Sequence, residues 1–257
     1  MISNRSSVLA LSARSPSAVV TSLPPPPDSR GGHPEEFLVV PRWGLADAGI
    51  AYVLALFCSI LLSFMVADPK SLTIYESVFL SIPLWIFSIG FPLWATRTKG
   101  NGPRIDLGLE IRWIDVLIGL LGGAVAQVVL PIIYGLFVSE STLNKLDDPA
   151  RELVGSAPSV AGKVLLVVTT VLVAPFAEEL FYRGLVGRSF ERMMPRWIAM
   201  AITAAIFGAV HFQPLQFAGL FGFGLILGTM ALLTRRLGAP MVAHVAFNAV
   251  AMWSLLH

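Results

Sequence analysis

Charge is scarce in this chain: Asp, Glu, Lys and Arg make up 13% of its 257 residues, against 55% hydrophobic residues. With a mean hydropathy of +0.75, that balance excludes an ordinary water-soluble domain and describes a polytopic membrane protein. The formal net charge of +2 gives no ground for nucleic-acid binding, and none is expected. Cysteine is nearly absent as well. Cys58 stands alone in an apolar run, which excludes an intramolecular disulfide and leaves no thiolate pair for a zinc site. Any metal would need His and carboxylate ligands, and no His-Glu-x-x-His sequence places them on one helix.

Residues 1–44 lack an apolar stretch long enough to span a bilayer, and are rich in Ser, Pro and Arg, with the run Pro24 to Pro27. They read as a flexible cytoplasmic tail. The pieces Val8 to Leu11 and Val19 to Thr21 are too short for a signal-peptide core, so the tail is expected to stay uncleaved. Residues 45–257 form the expected transmembrane domain, with a motif-bearing core at 162–257.

A hydrocarbon core of roughly 30 Å takes about 20 apolar residues per helix. The runs that meet this are Leu45 to Ala67, Thr73 to Ala95, Trp113 to Val138, Gly162 to Val186, Trp197 to Phe212, Leu215 to Thr234 and Ala239 to Leu256. The resulting fold class is all-α, a bundle of about seven spanning helices. Alternate loops then collect opposite charge patterns. One side receives Arg42, Arg97, Lys99, Arg104, Arg112, Arg188, Arg192, Arg196, Arg235 and Arg236. On the other side Lys70 stands beside Asp68, and Lys145 and Arg151 are offset by Glu140, Asp147, Asp148 and Glu152. The positive-inside bias places the N-terminus in the cytoplasm and the C-terminus outside.

Three of the apolar runs carry groups that lipid excludes: Glu178, Glu179 and Arg183, then His211, then His244 and Asn248. A charge near the bilayer centre costs at least about 2.5 to 3.5 kcal/mol, so such groups face a protein-lined or wet cavity. Counted at about 1.5 Å per residue from the nearest Arg, Glu178 lies roughly 15 Å deep, His211 roughly 22 Å and His244 roughly 12 Å. One shared pocket accommodates that spread through helix tilt.

The spacing suggests how the work is divided. Glu179 and Arg183 are at i and i+4 and meet on one face, while Glu178 points about 100° away and stays available to a reactant. A buried carboxylate is suited to act as a general base on water. His211 follows Phe207 by four residues, on the same helical face, and could hold the same water or carry a proton. His244 and Asn248, again at i and i+4, present an imidazole and a carboxamide suited to an oxyanion. Plainer readings stand beside these: an ion-pair cap for the first group, an interhelical hydrogen bond for His211, and satisfaction of a backbone carbonyl by Asn248. Pro83, Pro92 and Pro131 read as kinks rather than as parts of a site.

The set Glu-Glu-x-x-x-Arg at 178 to 183, Phe-x-x-x-His at 207 to 211 and His-x-x-x-Asn at 244 to 248 resembles the CPBP family of intramembrane proteases. That family includes type II CAAX prenyl endopeptidases and Abi-like proteins linked to bacteriocin processing or self-immunity. The resemblance implies a membrane endopeptidase in which Glu178 and His211 act on the attacking water and His244 and Asn248 stabilise the oxyanion. Glu179, Arg183 and Phe207 support them. It implies a glutamate-dependent mechanism without a cofactor, although Glu178, His211 and His244 could supply a zinc set. The implied partners are a membrane-associated peptide or protein, with a prenylated CAAX-like substrate one candidate, and the lipid bilayer. The location is the plasma membrane if the source is bacterial. A proton- or ion-coupled transporter and a non-catalytic scaffold are the alternatives, and the first is disfavoured because no internal repeat is evident and the polar groups crowd one half.

Overall fold

This computed structural model describes residues 38–257 except 67, 69, 70 and 144. The tail expected over residues 1–44 therefore lies almost wholly outside the described residues, as does Lys70. The described chain is all-helical: α1 (Leu45–Ser63), α2 (Ile74–Lys99), α3 (Pro103–Leu107), α4 (Trp113–Gly135), α5 (Glu140–Leu143), α6 (Asp148–Gly155), α7 (Val160–Glu191), α8 (Arg196–Ala209), α9 (Phe217–Thr234) and α10 (Gly238–Leu256). No strand occurs among the described residues.

Six of these, α1, α2, α4, α7, α9 and α10, are long and apolar enough to cross a bilayer. The fifth run read from the sequence is shorter than expected. Its helix α8 has 14 residues, about 21 Å at 1.5 Å per residue, and ends at Ala209 rather than Phe212. Phe212 has a positive φ of 53°, which no helix continues, and Pro214 lies two residues on. The protein is thus an integral, multi-pass membrane protein with six full-length apolar helices and one short one.

The helices turn small residues inward and large apolar ones outward, as lipid-embedded helices do when backbone proximity drives packing. In α1, Ala48, Ala51 and Ala55 are buried while Ile50, Val53, Phe57 and Ile60 are exposed on the outer face. The α4–α10 contact is closer still. A Cβ placed on Gly123 would lie 2.1 Å from the Ala243 carbonyl oxygen, and one on Gly119 would lie 2.5 Å from Val242 Cβ. Gly119-x-x-x-Gly123 therefore forms a groove into which α10, the helix of His244, is seated.

Side chains pin the Arg-rich end of the bundle. Asp47 and Asp115 accept from the backbone N–H groups of Gly44 and Arg112, both at 2.9 Å, which caps α1 and α4. Each carboxylate also reaches a second element. Asp47 takes Lys99 Nζ at 2.5 Å, and Asp115, fully buried, takes Arg236 through Nη2 at 2.7 Å and Nε at 2.9 Å. Glu191 at the end of α7 pairs with Arg235 at 2.7 Å, and Arg192 lies 3.9 Å from the Trp43 ring centroid. These ties hold the ends of α1, α2, α4, α7, α9 and α10 in register.

Candidate active site

Helix α7 carries the first motif on an unusual backbone. Two π-helical stretches, Val168–Val173 and Glu179–Gly187, flank an α-helical segment, Ala174–Glu178. A π turn takes one more residue than an α turn, so each rotates the residues beyond it by about 100° around the axis. Pro175 adds a defect of its own. The Ala174 N–H donates to Thr169, and Pro175 has no N–H, so the Thr170 carbonyl loses its helical donor. Asn248 on α10 replaces that donor: its Nδ2 donates to Thr170 O at 2.8 Å.

The two adjacent glutamates have separate environments. The Glu179 side chain has no solvent exposure, and its Oε1 accepts from Arg183 Nη1 at 2.8 Å and from His244 Nδ1 at 2.9 Å. Arg183 also donates from Nη2 to Gly224 O at 3.1 Å and lies 4.5 Å from the Phe207 ring centroid. Its charge is therefore matched by a carboxylate, a carbonyl and a π face. Glu178 faces the other way, with its side chain 25% exposed, and meets His244 only at the ring's far nitrogen, Nε2 to Oε2 at 3.7 Å.

Glu178 opens onto a cavity of about 130 Å³, which it shares with His211. At roughly 30 Å³ of liquid volume per water, that is room for a few waters or part of a peptide backbone. His211 lies two residues beyond the end of α8, not on its helical face as the sequence suggested. Its Nδ1–H donates to Phe207 O at 2.7 Å, which satisfies a helix-terminal carbonyl and fixes the tautomer. The lone pair of the neutral ring is then on Nε2. Phe207 is the hub of the motif set, since its ring meets the edges of His211 at 4.9 Å and His244 at 5.8 Å between centroids.

The structure thus brings Glu178 and His211 to one cavity and places His244 behind Glu178, 4% exposed and locked between the two glutamates. It does not bring Asn248 to that cavity. The remaining walls include residues that no motif marked: Tyr52 from α1, Leu84, Trp85 and Ser88 from α2, and Tyr182 from α7. Leu84, Trp85 and Ser88 occupy the turns after Pro83, so that proline begins the segment that closes the site. Among the described residues no three His, Cys, Asp or Glu side chains gather as a metal site.

Residues 160–250 match the family model described as type II CAAX prenyl endopeptidase, Rce1-like, a stretch that contains all three motifs. Over that stretch the chain is similar to that family. It is also similar to a curated Bacillus subtilis protein named "Putative membrane peptidase YdiL", with 24% identity over 155 residues. That similarity covers 59% of this chain and 59% of the relative. No solved structure matches the chain. The family-model match begins at residue 160, so the α1 and α2 walls of the cavity, with Tyr52, Trp85 and Ser88, lie outside it.

Proposed function

We propose that the protein is an intramembrane endopeptidase that hydrolyses a peptide bond of a membrane-associated protein or peptide. The observation that carries this reading is the carboxylate of Glu178, which takes no hydrogen bond from the described residues and faces a cavity together with His211, while its neighbour Glu179 is engaged by Arg183 and His244.

In this mechanism a water lies between the Glu178 carboxylate and His211 Nε2. Glu178 takes its proton as the oxygen attacks the scissile carbonyl carbon, and the carbonyl oxygen becomes an oxyanion. His244, with Nδ1–H held by Glu179, turns Nε2 toward Glu178 and, where Nε2 carries a proton, donates a hydrogen bond to that oxyanion. Asn248 enters by holding α7 at Thr170. Glu178 then gives its proton to the leaving nitrogen as the C–N bond breaks. The reaction uses one water and returns the enzyme unchanged. No metal step is required, so a glutamate-dependent route is preferred to a zinc one. The Arg-rich end is assigned to the cytoplasm, which places substrate approach on that side. A prenylated CAAX-like peptide is the first substrate to try, because the matched family model is described by that activity.

The test is cleavage of a fluorogenic prenylated-peptide panel by purified protein, wild type against Glu178→Ala, with and without a strong chelator. The reading expects cleavage by the wild type, loss in the variant and retention in chelator. Cleavage that survives Glu178→Ala would overturn it, and loss in chelator reversed by zinc would replace its mechanism.

A further inference from the structure

The proposed hydrolysis needs donors that reach the oxyanion, and the two residues expected from the sequence are largely committed elsewhere. Asn248 Nδ2 is bound to Thr170 O, and His244 is held through Nδ1 by Glu179. Neither lines the cavity that Glu178 and His211 share.

Tyr182 does line it. It follows Glu178 by four residues on α7, so both side chains project from one face of the helix into the same space. Only 6% of the residue is exposed, yet its hydroxyl makes no hydrogen bond with any described residue. Unlike Glu179 Oε2, the hydroxyl oxygen is not fully enclosed, so water or substrate in the cavity can supply its partner. The ring itself is fixed. It stands edge-on to Phe181 at 5.2 Å and 90°, and to Phe207 at 5.6 Å and 80°, and Phe207 is the ring against which both histidines pack. A donor held in this way needs no reorganisation when charge develops beside it.

Ser88 offers the contrast. Its hydroxyl also has no partner among the described residues, unlike Ser81, Thr96 and Thr98 of the same helix, each of which bonds the carbonyl four residues back. It sits on α2, across the cavity from the helix of Glu178, and its rotor is not wedged between rings.

We propose that the Tyr182 hydroxyl is a catalytic hydrogen-bond donor to the oxyanion of the tetrahedral intermediate. This rests on the endopeptidase reading. Tyr182 keeps its proton throughout. It lends a hydrogen bond that is strongest when the carbonyl oxygen carries full negative charge, and no bond to it forms or breaks.

Tyr182→Phe removes one oxygen and keeps both ring contacts. The expected result is a fall in kcat of about 100-fold with KM near that of wild type, because the lost bond exists in the transition state and not in the bound substrate. A peptide aldehyde of the cleaved sequence, which takes up a tetrahedral form, is expected to lose inhibitory affinity by a similar factor. Ser88→Ala serves as the comparison and is expected to change both quantities by less than about tenfold. Wild-type kcat and aldehyde affinity in Tyr182→Phe would overturn the proposal while leaving the endopeptidase reading in place. So would a loss confined to KM, or the larger loss falling on Ser88→Ala. A wild-type protein that cleaves nothing would overturn both.

Discussion

The side-chain amide of Asn248 donates to the backbone carbonyl of Thr170 at 2.8 Å, across the α10–α7 contact and at the point where Pro175 has deprived that carbonyl of a helical partner. A defect in one helix is thus repaired by a side chain from another. The repair holds the segment that presents Glu178.

Removing that amide is expected to destabilise the fold through a buried unsatisfied carbonyl. Asn248→Ala should cost about 1–2 kcal/mol, read as a lowered melting temperature in detergent. In a Pro175→Ala background the backbone regains an N–H, and the same substitution should cost less. A full cost in both backgrounds would break the link between Pro175 and Asn248.

Arg183 neutralises a carboxylate with no solvent exposure. Arg183→Met should therefore destabilise by about 3–5 kcal/mol, because an unpaired charge is left among apolar side chains. The double substitution Glu179→Gln with Arg183→Met should recover part of the loss. Equal melting temperatures for the single and double variants would contradict the pairing as described.

The seat of α10 on α4 predicts a steric effect far from any reacting group. Gly123→Val places a side chain where 2.1 Å separates the position from the Ala243 carbonyl, so α10 must shift. Destabilisation of about 1–3 kcal/mol is expected, with turnover reduced because His244 rides on the shifted helix. Gly49→Val, where nothing lies within 4 Å, should be tolerated in both measurements.

The sequence made some of this visible through simple spacing. The i, i+4 relation of Glu179 and Arg183 leads to their contact, and the same periodicity turns Glu178 elsewhere. The helix count was readable from apolar length, except that α8 stops three residues early, where the positive φ of Phe212 depends on the next turn of the chain. The far walls of the cavity were not readable. Tyr52, Trp85 and Ser88 come from helices far earlier in the chain than Glu178, carry no spacing pattern, and acquire meaning only when the bundle closes. The role of Asn248 was hidden for a related reason, since a carbonyl orphaned by Pro175 matters only if α7 continues through the proline. Gly119-x-x-x-Gly123 was there to be read as a packing groove, although nothing in the sequence said which helix fills it.

The most direct measurement sets Glu178→Gln beside Glu179→Gln, with turnover of a cleaved peptide and melting temperature recorded for each. Glu178 faces the cavity and holds little of the fold, so its variant should lose turnover by at least about 100-fold and keep the wild-type melting temperature. Glu179 holds Arg183 and His244, so its variant should melt several degrees lower. A Glu178→Gln protein that still turns over, or one that melts like Glu179→Gln, would contradict the separation of a chemical glutamate from a structural one.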